Sequence, residues 1–167
     1  AVLYRDTPRT AANFLSYVRD GDYDGSFIHR AVTDFVIQGG SYGWGEDGDY
    51  GIPTDVPVAN EPFHSNVRGT VAMAKQPGDP DSATSGWFVN VADNSSVLDN
   101  QNGGFTAFGE VLGDGMEVVD AIAELPTVNL GDPYTELPVH DWEEGEDVLG
   151  ENLVILPQVI AIDATSL

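Results

Sequence analysis

The feature that most constrains this chain is its punctuation: short apolar, β-branched or aromatic runs separated by clusters of Gly, Pro, Asp and Asn. Runs of that length are too short for stable helices and read as strands closed by turns. They fall at residues 27–31, 35–38, 67–74, 87–91 and 105–111, with a closing strand at 153–156 and 159–162 in two halves around Pro157. Residues 2–4 read as the end of a strand whose start lies upstream. Only two segments carry helical spacing. Ala11, Phe14, Leu15 and Val18 share one face behind a Thr7 N-cap and Pro8 at the first helical position, and Gly21 is the stop. Asp114 and Glu117 open the second helix with capping-box spacing, Val118, Val119, Ile122 and Ala123 form its apolar face, and Pro126 ends it. Many short strands and two helices predict a mainly β domain, a closed barrel with helical plugs. At 167 residues without an internal repeat, one domain with a real core is expected.

Charge narrows the function classes. The chain carries 28 Asp and Glu against 6 Lys and Arg, a net charge of −22, and no Lys or Arg follows Lys75. A surface of that sign disfavours nucleic acid and anionic membranes, which need cationic patches. No apolar run approaches the roughly 18 residues of a membrane span. The absence of cysteine excludes disulfides and thiolate metal sites. The three His are far apart, with no His-x-x-x-His pair, and no Gly-x-Ser-x-Gly elbow is present. Residues 20–25 match the first half of a calcium loop, but Ala31 stands where a bidentate Glu is required, so a turn is expected. No cofactor is called for. The acidity, the lack of cysteine and the Ala1 start together suggest a processed, extracytoplasmic bacterial protein.

Three loops stand out. Residues 39–66 are rich in Gly, Pro and Asp and read as one long irregular loop, and 76–86 as a second. Residues 127–152 form an acidic insertion with scattered Tyr134, Leu137, Val139 and Trp142. A loop of that length packs against the body or has a specific task.

The chemistry concentrates in residues 27–40. Arg30 is a cation inside an apolar, β-branched run, a costly placement without a partner or a task. His29 precedes it, so along a strand the two side chains point to opposite faces.

Tyr23-Asp24-Gly25, Phe27-Ile28-His29-Arg30, Phe35-Val36-Ile37-Gln38-Gly39-Gly40, Gly69-Thr70-Val71-Ala72-Met73-Ala74, Ser82-Ala83-Thr84-Ser85 and Phe108-Gly109 together resemble the cyclophilin-type peptidyl-prolyl cis-trans isomerases, bacterial more than animal. Order and spacing agree over residues 2–126, and the closing strand fits as well. The resemblance implies an eight-stranded antiparallel barrel closed by two helices, with an active groove on its outer face. It places the catalytic Arg on Arg30, the Gln that holds it on Gln38, and a groove histidine on His29. The proline pocket falls on Phe35, Val36, Met73, Phe88, Leu98 and Phe105, and the substrate-pairing strand on Ala74 and Lys75. The implied partners are proline-containing polypeptides and the implied role is assisted folding; the alternative is a module that holds Pro segments without turnover. Gly86 stands where the family commonly has Gln, and Val97 where eukaryotic members have Trp, which argues against tight cyclosporin binding. The first strand is expected to be incomplete.

Overall fold

The apolar runs fold as strands whose residues alternate between two faces, and both faces are covered. The structure, a computed structural model, describes residues 1–162. In chain order the strands are β1 (Val2–Leu3), β2 (Ser26–Phe27), β3 (Arg30–Val32), β4 (Val36–Gly39), β5 (Tyr42–Gly45), β6 (Gly48–Gly51), β7 (Thr70–Met73), β8 (Trp87–Asn90), β9 (Ala107–Glu110), β10 (Thr127–Val128), β11 (Leu137–Pro138) and β12 (Ile155–Leu156). The α-helices are α1 (Pro8–Asp20), α2 (Ser95–Leu98) and α3 (Gly115–Ala123). The chain is therefore mainly β. One 6-stranded sheet has the order β1-β9-β7-β8-β4-β3, a 4-stranded sheet has β12-β2-β5-β6, and β10 pairs with β11.

The 6-stranded sheet is antiparallel throughout, and its register sorts the side chains. Ala31, Ile37, Val71, Met73, Val89 and Phe108 point inward and form the main core with Ile28 and with Val119 and Ala123 of α3. Val36, Ala72, Phe88 and Ala107 point outward and form a second cluster with Leu98, packed by Phe35, Ala74 and Phe105. Period-two alternation alone produces this division.

Helix α1 starts at Pro8 and stops at Gly21, whose φ of 78° is the left-handed conformation that glycine adopts without a Cβ penalty. Thr7 occupies the N-cap position, but its hydroxyl donates to Tyr4 O rather than to the helix. The donors at that end are met from a distance instead: Thr10 N–H and Oγ1 donate to Glu61 Oε2 at 2.9 and 2.8 Å. A carboxylate at a helix N-terminus satisfies orphan N–H groups and complements the helix dipole. Phe14 carries the helix onto the core through Tyr23 and Phe108. In α3, Val119 and Ala123 face inward while Val118 is exposed, so the apolar face is narrower than the sequence suggested.

Several connections are more ordered than expected. The 39–66 segment begins with the β5–β6 hairpin, and 127–152 contains the β10–β11 pair. Residues 67–69 form a turn into β7 rather than strand. Residues 159–162 are not a strand: Pro157 has no N–H to donate, and beyond it Ile160 and Ile162 are exposed. Of residues 20–25, Asp20 ends α1 and 21–25 form a turn, and among the described residues no cluster of three potential metal ligands occurs. Likewise, no helix among them is long and apolar enough to cross a membrane.

Candidate active site

One row across the 6-stranded sheet holds the principal residues. Arg30 pairs with Gln38, Gln38 with Phe88, Phe88 with Ala72, and Ala72 with Ala107. All five belong to the outward-facing set, so the row runs from a cation, past an amide, to an apolar floor. Val36 and Phe88 are 3% and 5% exposed, and Leu98 reaches the same cluster from α2. Phe35 and Phe105 form the rims, and Phe105 meets the Phe88 ring edge-on at 5.8 Å.

The apolar walls are fixed by a buried amide network. Asn90 Nδ2 donates to Thr70 Oγ1 and Asn66 Oδ1 at 2.9 and 3.2 Å, and Asn90 Oδ1 accepts from Asn94 at 2.8 Å. Asn94 Nδ2 also donates to the carbonyl of Phe35, and Asn66 Nδ2 to that of Phe105, each at 2.9 Å. Both rim residues are thus tied through Asn90. Asp99 completes the set by accepting from Asn66, which holds its carboxyl below the usual range against an opposing effect of burial. Sequence reasoning missed this network; its signal was Asn90 within an apolar strand, where a buried amide needs partners.

Lys75 secures the same rim from the other side. Its ammonium donates to the carbonyls of Asn102 and Gly104 at 2.7 Å each and lies 4.7 Å from the Phe105 ring centroid. Burial pushes its pKa down, opposed by Asp81 and Asp79. The Ala74 N–H is already bonded to Gly86 O at 2.9 Å and is not free for a peptide. A Cβ at Gly86 would lie 2.9 Å from Ser41 Oγ and 3.4 Å from Ala74 Cβ, so any side chain there must displace Ser41. Val97 is 43% exposed beside Leu98 and supplies no aromatic wall.

Two expected site residues lie on the opposite face. Met73 has no exposed surface and packs in the main core, because β7 turns Ala72 and Ala74 toward the groove. His29 is 5% exposed, stands edge-on to Tyr42 at 5.0 Å, and leaves Nδ1 without a hydrogen-bond partner. Burial, with a smaller contribution from Arg30, lowers its pKa to about 4. Gln38 sits beside Arg30 in register, but the hydrogen bond that holds the guanidinium comes from elsewhere: Arg30 Nε donates to Glu136 Oε2 at 2.9 Å. A hollow of about 280 Å³, lined by Thr33, Asp34, Arg68, Val91, Asp120 and Glu124 among others, contains none of the expected site residues.

Such a groove can seat a small apolar ring against Phe88, Val36 and Leu98 and present a guanidinium to the polar atoms beside it. Among the described residues it holds no nucleophile–base pair. Comparison with known proteins matches residues 1–144 to the family described as cyclophilin type peptidyl-prolyl cis-trans isomerase. The chain is 42% identical over 127 residues to a peptidyl-prolyl cis-trans isomerase of Acinetobacter baylyi, covering 74% of this chain and 65% of that one. It is 38% identical over 154 residues to peptidyl-prolyl cis-trans isomerase B of Escherichia coli, covering 89% and 87%. Among solved structures, a cyclophilin-type isomerase of Cryptosporidium parvum, determined in the presence of the dipeptide Ala-Pro, superposes with a TM-score of 0.64. At 21% identity over 95% of this chain and 88% of that one, the likeness is one of fold.

Proposed function

The chain belongs to the cyclophilin-type peptidyl-prolyl cis-trans isomerases, and from that premise we propose that its outer groove accelerates rotation about X–Pro bonds in polypeptides and so assists their folding. The observation that carries this reading is the single row that joins Arg30 to Phe88.

Rotation about an X–Pro bond passes through a twisted amide that has lost resonance, against a barrier of about 18–20 kcal/mol. No covalent bond breaks and no proton needs a new owner. Phe88, Val36 and Leu98 grip the pyrrolidine ring, with Phe35 and Phe105 as rims. Their low local dielectric favours the twisted amide, which is less dipolar than the planar one. Once resonance is lost, the prolyl nitrogen has a lone pair, and a guanidinium N–H can donate to it. Such a contact forms only at the transition state and therefore lowers the barrier. Arg suits the task because it stays charged and offers a fixed fork of donors. That the Cryptosporidium parvum structure was determined in the presence of the dipeptide Ala-Pro supports a Pro-containing substrate here.

Two finer readings go with this one. The 6-stranded sheet together with β2 and β12 of the 4-stranded sheet forms one closed eight-stranded barrel; support comes from residues 26–32, which run from β2 into β3 with Ile28 N–H bonded to Val154 O and His29 N–H to Gln38 O. The acidic, cysteine-free composition supports a place of work outside the cytoplasm.

Exchange spectroscopy on an X–Pro peptide tests the function. Catalytic amounts of the chain should broaden and exchange-couple the cis and trans resonances. Shifted peaks without faster exchange would mark a Pro-segment binder and defeat the proposal.

A further inference from the structure

The acidic insertion had no assigned role in the sequence, yet it delivers the carboxylate that holds Arg30. The geometry points to Glu136 as the positioning residue of Arg30, in the place that family resemblance gave to Gln38. This inference rests on the isomerase reading above and adds to it the part played by residues 127–152.

Glu136 is fixed on three sides before it meets the guanidinium. Its carbonyl accepts from Ala31 N–H at 2.9 Å, so the insertion docks on the edge of β3 one residue from Arg30. Leu137, the next residue, is 2% exposed and packs with Phe27, Val139 and Leu153. Tyr134, two residues earlier, packs on Phe27 and Tyr42, and its hydroxyl donates to Asp49 at 2.6 Å. Thr135 Oγ1 donates to the same Oε2 that accepts from Arg30. The backbone that carries the carboxylate is thus anchored on both sides, and Thr135 bonds the carboxylate itself, whereas the arginine is a long side chain with many rotamers.

The choice of nitrogen matters. Glu136 takes Nε, and among the described residues no other hydrogen bond to the Arg30 side chain is found. A guanidinium has five N–H donors in one plane. Fixing the Nε–H leaves both terminal nitrogens available and sets the plane in which they lie. Orientation of a donor before the reaction lowers the barrier because the ordering cost is met in advance. The hydrogen bond from Arg30 also keeps the Glu136 carboxyl below its usual range, so the acceptor remains ionised in neutral solution. The bland alternative is a half-exposed ion pair, with side chains 32% and 41% exposed, that contributes little to anything.

The test is steady-state exchange kinetics on Glu136→Ala, Glu136→Gln and Arg30→Ala in the full chain, with Arg30→Ala/Glu136→Ala as the double variant. Positioning predicts that Glu136→Ala lowers kcat about 5- to 30-fold with KM within about twofold, and that Glu136→Gln, which keeps an acceptor, recovers part of the loss. In the Arg30→Ala background Glu136→Ala should change nothing further, since its effect passes through the guanidinium. In the 15N-resolved spectrum the Arg30 Nε–H resonance should move toward that of a free arginine in Glu136→Ala, a readout that remains if turnover is too low to measure. An active wild type with an indifferent or faster Glu136→Ala overturns the inference alone, as does an additive double variant. A wild type without exchange activity overturns the isomerase reading and this inference with it.

Discussion

Arg30 and Phe88 lie in the same row of the 6-stranded sheet, on strands separated only by β4, with Gln38 between them. Adjacent strands are about 4.8 Å apart, so the cation and the apolar floor are separated by roughly 10 Å of backbone, about the reach of an arginine side chain beside a proline ring. Phe88→Ala should therefore lose ring-binding surface at a fixed distance from the cation. We expect kcat/KM to fall about 10- to 100-fold, mostly through KM, with about 3 kcal/mol of stability lost to the cavity. Val89→Ala, one residue away on the inner face, should lose stability while each folded molecule keeps its activity. Denaturant melts paired with kinetics on both variants separate the two effects.

The Asn90 amide is the hub that ties Phe35 and Phe105 to the sheet through Asn94 and Asn66. Asn90→Ala leaves buried partners unsatisfied, and we expect a loss of about 2–3 kcal/mol. The rims should loosen together, so the backbone amides of residues 35 and 105 should both exchange faster with deuterium. Protection lost at one rim alone would show that the two are held independently.

Lys75 acts on Phe105 through the loop carbonyls of Asn102 and Gly104 and through the ring face. Lys75→Met keeps the aliphatic stem and removes the donor. We expect KM to rise about three- to tenfold with kcat nearly unchanged, because the rim shapes binding and not the chemical step. A fall in kcat at constant KM would place Lys75 at the reacting bond.

Burial keeps His29 neutral in the folded chain down to about pH 4. In the unfolded chain the imidazole ionises near pH 6.5, so below that pH the unfolded state gains a proton that the folded state refuses. The stability that neutral His29 confers is whole above pH 6.5 and declines until about pH 4, by roughly 3 kcal/mol in all. Denaturant melts between pH 7 and pH 4 should show this decline in the wild type, and His29→Gln should lack that portion of it. Parallel curves for the two chains would mean that His29 titrates normally and is not shut away from water.

The strands around Arg30 were legible because local patterning encodes them. Residues 35–38 and 87–91 alternate, so Val36, Gln38 and Phe88 reach one face and Ile37 and Val89 the other. The same alternation in 67–74 sets Val71 and Met73 against Ala72 and Ala74, whereas the family resemblance places Met73 in the pocket, and the structure follows the alternation. What could not be read was long-range pairing without a local signal. Glu136 is one of many acidic residues in its segment, and only the docking of Leu137 and Tyr134 onto Phe27 brings it to Arg30. Glu61, which caps α1 in place of Thr7, is hidden for the same reason. The β5–β6 hairpin escaped notice because Gly43, Gly45, Gly48 and Gly51 give its strands a loop-like composition. At Gly43 a Cβ would collide with the Tyr50 ring, which lies over that position on the pairing strand.

The central claim is that the Arg30 guanidinium lowers the barrier at the twisted imide, and substitution of that residue tests it most directly. Wild type, Arg30→Lys and Arg30→Ala are compared by exchange spectroscopy on one X–Pro peptide, with circular dichroism to show that each is folded. The expected result is a loss of about 100- to 1,000-fold in kcat/KM for Arg30→Ala, by analogy with removal of one oxyanion donor, and only partial recovery in Arg30→Lys. A folded Arg30→Ala within about threefold of the wild type would contradict the mechanism.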